Sequence, residues 1–413
     1  MTVDATRAKD ALGGLVEALV GTSDEKLARI VGVLDGTTGA DAERDMAEAL
    51  IAPLRPRLAQ LRPRRRLNLS RLTFTPLDPV IVPAAQWARG EIGVPRTALA
   101  PLWTTIRAAL GPREAELQTA LAAAAAGRCE KGRCEKVGAT LWPLAAAALS
   151  DAEPATAWQA ATGLDAADHQ ALASRIAALL ARAPGLAAME TRLAAGSPPT
   201  PAELAAWLTP LAETRPPALA TGIALLLARM PQAEAVMALS EDPERVLATT
   251  KPEVVAATEA AIGFALDAAV SVPATGGDAA AEAVRQAALL LLGLEARAQE
   301  RPTRLARIRA ARQAADARLR AGFTEAISTH LATSSTVTRQ DVAAEASALA
   351  LRRFAGAARH LGSAPAYEAA LRQAATALIP PRGADAPTRV ARARLVEILV
   401  GSEAAAAMLG ASD

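Results

Sequence analysis

About a quarter of the 413 residues are alanine, and only 2% are aromatic. Alanine is the strongest helix former. A β-protein draws instead on Val, Ile, Thr, Tyr and Phe, which a chain built this way supplies sparingly. The shortage of aromatics also speaks against most cofactor pockets, which are aromatic-lined. With 51% hydrophobic and 21% charged residues the chain can bury a core. The expected class is all-α, and the length suits two or three domains or one elongated array.

Helical periods cover nearly every long segment. They run at about 5–20, 23–35 and 41–60, the last carrying Met46, Leu50, Ile51 and Leu54 on one side. They resume at 96–110, 113–126, 136–150, 155–162, 165–182 and 185–195. Thr200-Pro201-Ala202-Glu203 is a capping box with Pro at the first helical position. Helices follow at 201–213, 217–229, 231–239, 243–249 and 252–270, and beyond these at 279–299, 302–332, 339–361, 364–378 and 387–409. No fixed repeat period is visible, so the choice lies between an irregular multi-helix bundle and an α-solenoid-like stack of helix pairs.

Residues 61–95 differ in character. They hold five Pro, no helical period and several β-branched residues. The expectation is an extended, Arg- and Pro-rich segment with one short strand near Val80–Val82. Phe74, Leu77, Val80, Ile81, Val82 and Trp87 should pack along the helices, because exposing them would leave a large apolar patch. The organisation expected is thus N-terminal helices over 1–60, this segment over 61–95, a middle helical region over 96–274 and a C-terminal one over 275–413. The Gly- and Pro-bearing run Pro273–Asp278 marks the last division.

Arginine far outnumbers lysine, of which there are only five, and Asn68 is the only asparagine. This reads as coding bias from a GC-rich genome, so composition carries little functional weight. The N-terminus lacks a signal-peptide pattern, no apolar run reaches membrane-spanning length, and two cysteines fit a reducing compartment. A cytoplasmic bacterial protein with no integral membrane span is expected.

Catalytic and metal motifs are missing. GRCEK occurs twice in tandem, at Gly127–Lys131 and Gly132–Lys136, and reads as a small duplication in an exposed helix connection. It gives Cys129 and Cys134 a C-x4-C spacing with no second pair, a poor match to zinc, and both thiols are expected to be exposed. His169, His330 and His360 are scattered. No metal, no cofactor and no catalytic residue are assigned.

Arginine clustering is the strongest chemical signal. Arg55, Arg57, Arg62, Arg64, Arg65, Arg66 and Arg71 fall within seventeen residues without an acid, whereas residues 1–52 carry ten acids against five bases. The planar guanidinium fork suits carboxylate or phosphate. A second run, Arg301, Arg304, Arg307, Arg309, Arg312, Arg318 and Arg320, contains one acid, Asp316. There Arg312 interrupts the seam Leu305, Ile308, Ala315, Leu319, Phe323 and must either snorkel or meet a carboxylate. The run reads as a solvated basic face or as a docking face for an acidic partner helix.

The functional expectation is a non-catalytic α-helical scaffold or adaptor that binds a protein with an acidic surface, with homo-oligomerisation left open. A polyanion binder, above all of nucleic acid, through Arg55–Arg71 is the first alternative, although no aromatics are interleaved for base stacking. An enzyme with dispersed residues is the second. The candidate contact residues are Arg62, Arg64, Arg65, Arg66 and Arg71, with Arg307, Arg309 and Arg312.

Overall fold

The computed structural model describes residues 67–83, 87, 92–126, 131–150, 158, 163–214, 216–273, 278–334, 341–380 and 383–410. The helices expected over 5–60 and the arginines Arg55 to Arg66 lie outside the described residues. Contacts divide the chain into Met1–Arg66 and Leu67–Asp413, and every described residue belongs to the second unit.

This unit is all-α, with seventeen α-helices among the described residues and one pair of two-residue strands. Of the segment expected to be extended over 61–95, Leu69–Val80 is helical and Ile81–Val82 and Val94–Pro95 are extended. Helix α1, Leu69–Phe74, is followed by a 3-10 turn, Thr75–Val80. Asn68 starts α1, its Oδ1 accepting the Arg71 backbone N–H at 2.8 Å. Pro76 at the head of the next turn and Pro79 inside it deny N–H donors to an α-helix, so the chain tightens to 3-10 geometry. The expected strand is present as β1, Ile81–Val82, paired parallel with β2, Val94–Pro95. Phe74, Leu77 and Val80 are buried, and Ile81 and Trp87 pack against the core. Side chains from afar fasten this region. Thr221 donates to the Ile92 carbonyl at 3.1 Å, Trp87 Nε1 to Gly93 O at 2.9 Å, and the buried Arg175 to the same oxygen at 3.1 Å.

Helices α2 (Leu99–Leu110), α3 (Arg113–Ala126), α4 (Lys131–Ser150), α5 (Ala166–Leu180) and α6 (Ala183–Ala194) come next in the chain. The second GRCEK copy is not in a connection: it forms the opening turns of α4, and Cys134 is buried. The reason is its phase, for Cys134, Leu141, Ala145 and Leu149 share the buried face at helical spacing. Cys129 lies outside the described residues. Trp142, on the same helix, donates from Nε1 to the Leu72 carbonyl at 3.0 Å and ties α4 to α1.

The chain continues through α7 (Pro201–Thr214), α8 (Pro216–Arg229), α9 (Glu234–Glu241) and α10 (Pro243–Leu247). The capping box before α7 forms as the sequence indicates: Thr200 N donates to Glu203 Oε2 at 2.9 Å, and Glu203 N to Thr200 Oγ1 at 3.3 Å.

The remaining helices are α11 (Pro252–Val270), α12 (Asp278–Arg297), α13 (Pro302–Ser334), α14 (Val342–Ala358), α15 (Ala364–Ala377), α16 (Ala386–Val400) and α17 (Ser402–Gly410). The single helix expected over 387–409 is broken at Gly401, whose φ of +92° ends α16.

These helices pack by a simple rule. From α11 to α16 each meets its successor in a hairpin and the next helix but one in a row. One row is α11, α13, α15; the other is α12, α14, α16. This is the solenoid-like alternative, a stack of helix pairs in two layers. Helix α8 packs on α11, and α9 on α12, joining the stack to the preceding helices. Helices α11 and α12, on either side of Pro273–Asp278, also pack on one another. Among the described residues no single helix is long and apolar enough to cross a membrane; α5 and α6, bent by 44°, pass that test only as a pair.

Candidate functional site

Helix α13 has 33 residues, about 50 Å at 1.5 Å per residue. Its apolar seam, Ile308, Ala315, Leu319 and Phe323, is buried. Arginines leave the helix on either side of that seam, and most of them reach the ends of neighbouring helices. Arg301 and Arg304 donate at 2.7 Å to the Glu241 and Ser240 carbonyls, which end α9. Arg318 donates at 2.8 Å to Val270 O, the last residue of α11. Arg312 donates at 3.1 Å to Leu361 O, the last residue of the 3-10 turn Arg359–Leu361. The final carbonyls of a helix have no intrahelical donor and carry the negative end of its dipole, so a guanidinium there satisfies both needs. Arg352 does the same for Ile398 O in the last turn of α16, at 3.0 Å.

Carboxylates complete the set. Glu295 of α12 takes Arg309 Nε at 2.8 Å and Arg312 Nε at 3.0 Å. Arg312 thus meets the carboxylate that its place in the seam requires. Arg304 also pairs with Glu259, and Arg320 with Asp316 at 3.1 Å. Asp316 is buried and accepts from Ser363 and, at 3.5 Å, from the Tyr367 hydroxyl. Burial and the Asp316 charge push the Tyr367 pKa up, so it stays a donor.

The candidate residues are therefore dispersed. Arg62, Arg64, Arg65 and Arg66 lie outside the described residues. Arg71 is exposed on α1; burial raises the Asp78 carboxyl pKa, and Arg229, Arg71 and Arg96 offset that rise only in part. Arg307 is exposed, its guanidinium lying against Gly263 of α11, with no ion pair among the described residues. Sequence reasoning missed the carbonyl partners of Arg301, Arg304 and Arg318. A basic residue facing a helix C-terminus across the interior has no signature along the chain.

Two other polar groups sit in the interior. His330 is buried, its Nδ1 3.2 Å from Ser347 Oγ, with Ser334 Oγ 3.3 Å from the ring. His169 is fully buried against Trp158, the ring centroids 3.9 Å apart and the planes tilted by 31°, and neither ring nitrogen has a hydrogen-bond partner among the described residues. Burial lowers both imidazole pKa values. Among the described residues no group of three or more His, Cys, Asp or Glu side chains could hold a metal ion.

One groove opens between α4 and α5, with a volume of about 490 Å³. Pro143, Ala147, Ser150, Ser174, Ala178 and Arg182 are among its lining residues. Arg182 donates to Ala178 O at 3.3 Å and Ser150 to Ala146 O at 3.1 Å, so these polar groups serve their own helices. Comparison with known family models, characterised proteins and solved structures finds no match to this chain.

Proposed function

We propose that this protein is a non-catalytic helical scaffold or adaptor that binds a partner with an acidic surface. The observation that carries the reading is the two-row stacking of α11 to α16. Stacked helix pairs generate extended surfaces suited to binding rather than enclosed sites. The chemistry exposed on that surface is basic. Between Pro302 and Ser334 four arginines, Arg307, Arg309, Arg318 and Arg320, are exposed beside one exposed acid, Glu325. The groove between α4 and α5 is lined by alanines, Pro143, Ser150, Ser174 and Arg182, with no carboxylate or imidazole among its lining residues.

A polyanion such as nucleic acid is the second reading. It is favoured by exposed Arg71 and Arg96, which lie close enough to Asp78 to act on its carboxyl. Fluorescence anisotropy of the full chain separates the two, using a labelled glutamate-rich helical peptide and labelled single- and double-stranded nucleic acid at about 50 and 200 mM salt. The scaffold reading expects the peptide to bind and the nucleic acids to bind less tightly. Nucleic-acid binding that collapses with salt, and is lost when Arg62, Arg64, Arg65 and Arg66 become Ala, would replace it with the polyanion reading. Binding of neither probe overturns both.

A further inference from the structure

The outer face of α13 has a composition unlike its inner one. Projected at 100° per residue, Ala306, Ala310, Gln313, Ala314, Ala317 and Ala321 fall on one arc, and all six are exposed. Arg307 and Arg318 border that arc on one edge, Arg309 and Arg320 on the other. Within each pair the arginines are eleven residues apart, three turns and about 16 Å along the axis. The two edges differ in charge balance. Arg309 is paired with Glu295 and Arg320 with Asp316. On the other edge Arg307 lies against Gly263 and Arg318 donates to the Val270 carbonyl, and neither has a carboxylate partner among the described residues; the one acid on that edge, Glu325, is seven residues, about 10 Å, beyond Arg318.

We infer that this face of α13 docks an acidic α-helix of a partner protein, laid along the helix with carboxylates three turns apart facing Arg307 and Arg318. The inference rests on the acidic-partner reading above and assigns it a place and a geometry. Charge is the argument for an acidic occupant: two guanidiniums without a carboxylate partner among the described residues, on one edge of one helix, call for carboxylates at the same spacing. Length is the argument for a helix. The edge is straight over three turns, and a second helix repeats its own side chains with the same eleven-residue period. The exposed residues between the edges are small, so the partner axis can approach to the usual 8–10 Å of packed helices. Flanking arginines then cover the contact as edge residues do in a coiled coil. A phosphate backbone would be met on this edge by these two guanidiniums alone, with no aromatic side chain on the arc to stack a base.

The test uses the full chain and a labelled amphipathic peptide of about 25 residues, long enough to be helical, with Leu on one face and Glu along its edges. R307E/R318E is expected to weaken binding by about tenfold or more. A314W, an exposed change that leaves the core untouched, is expected to weaken it as well by holding the partner off. R372E, on α15, is expected to bind as the unaltered chain does. Circular dichroism and the urea midpoint confirm folding, and A314W decides the matter if the charge reversal unfolds the protein. Unchanged binding by R307E/R318E and A314W would overturn the inference and leave the acidic-partner reading to other arginines. No binding of the peptide by the unaltered chain at about 50 mM salt would overturn both. Tighter binding of duplex nucleic acid, lost in R307E/R318E, would also overturn the helical partner.

Discussion

Gly138 and Gly356 both lie inside helices, α4 and α14, and the same substitution should move stability in opposite directions at the two sites. At Gly138 an added Cβ would lie 2.5 Å from Trp142 Cζ2 and 2.7 Å from Cη2. The indole cannot yield easily, because its Nε1 is tied to Leu72 O at 3.0 Å and the ring is buried. At Gly356 an added Cβ meets no heavy atom within 4 Å. Alanine in place of glycine in a helix interior gains about 0.5–1 kcal/mol, chiefly by restricting the unfolded chain. G356A should therefore stabilise by that amount. In G138A the same gain is set against overpacking of about 1–3 kcal/mol and a weakened indole hydrogen bond of about 1 kcal/mol. The net is a destabilisation of about 2 kcal/mol. Urea unfolding followed by circular dichroism and tryptophan fluorescence reads both as shifts of the midpoint, upward for G356A and downward for G138A. A red-shifted native emission in G138A would mark displacement of Trp142. Midpoints moving in the same direction would refute the reasoning, because they would mean that backbone propensity alone sets the sign.

Two further outcomes rest on the buried imidazoles and on the ion pairs of Glu295. The pKa values of His169 and His330 are lowered in the folded state, so the unfolded chain binds protons first as pH falls. Their contribution to stability is complete above about pH 6.5 and is lost as pH drops from there through the folded values. Urea midpoints measured across pH 7.5 to 5 should fall on the acid side, and H330Q should flatten part of that fall; a midpoint independent of pH would contradict the burial of the rings. Replacing Glu295 by Ala removes the common partner of Arg309 and the half-buried Arg312. It should cost about 1–2 kcal/mol and reduce the salt dependence of unfolding, whereas an unchanged midpoint would show that Arg312 is satisfied by Leu361 O alone.

Much of the helical layout was legible because its signals are local. The bounds of Arg113–Ala126 and Pro252–Val270 coincide with the expected 113–126 and 252–270, for Pro, Gly and capping residues act within one turn. Helix α1 was hidden by the prolines that follow it, although the Asn68 cap was there to be read. The depth of Cys134 followed from its phase with Leu141 and Ala145, which the duplicated pentapeptide obscured. The two-row stacking left no repeat in the sequence. Alanine faces pack closely without fixed positions, so nothing recurs at a fixed period. At the candidate site, Arg312 was expected to snorkel or to meet a carboxylate, and Glu295 is that carboxylate. The carbonyl partners of Arg301, Arg304 and Arg318 lie some fifty to sixty positions away along the chain, beyond the reach of any local pattern.

Row-wise packing also sets how this protein bears load. A helix in such a stack touches only its near neighbours, so strain introduced at one pair is shared with the next and fades with distance, as along a coil spring. Small changes of angle at successive pairs add up. The stack of α11 to α16 can therefore bend or wind while every pair keeps its own interior. Arginines fastened to the carbonyl ends of the helices act as tethers on that motion. They oppose a helix sliding out of its row, because sliding would break the contacts with those carbonyls. The result is a body compliant in curvature and stiff in register.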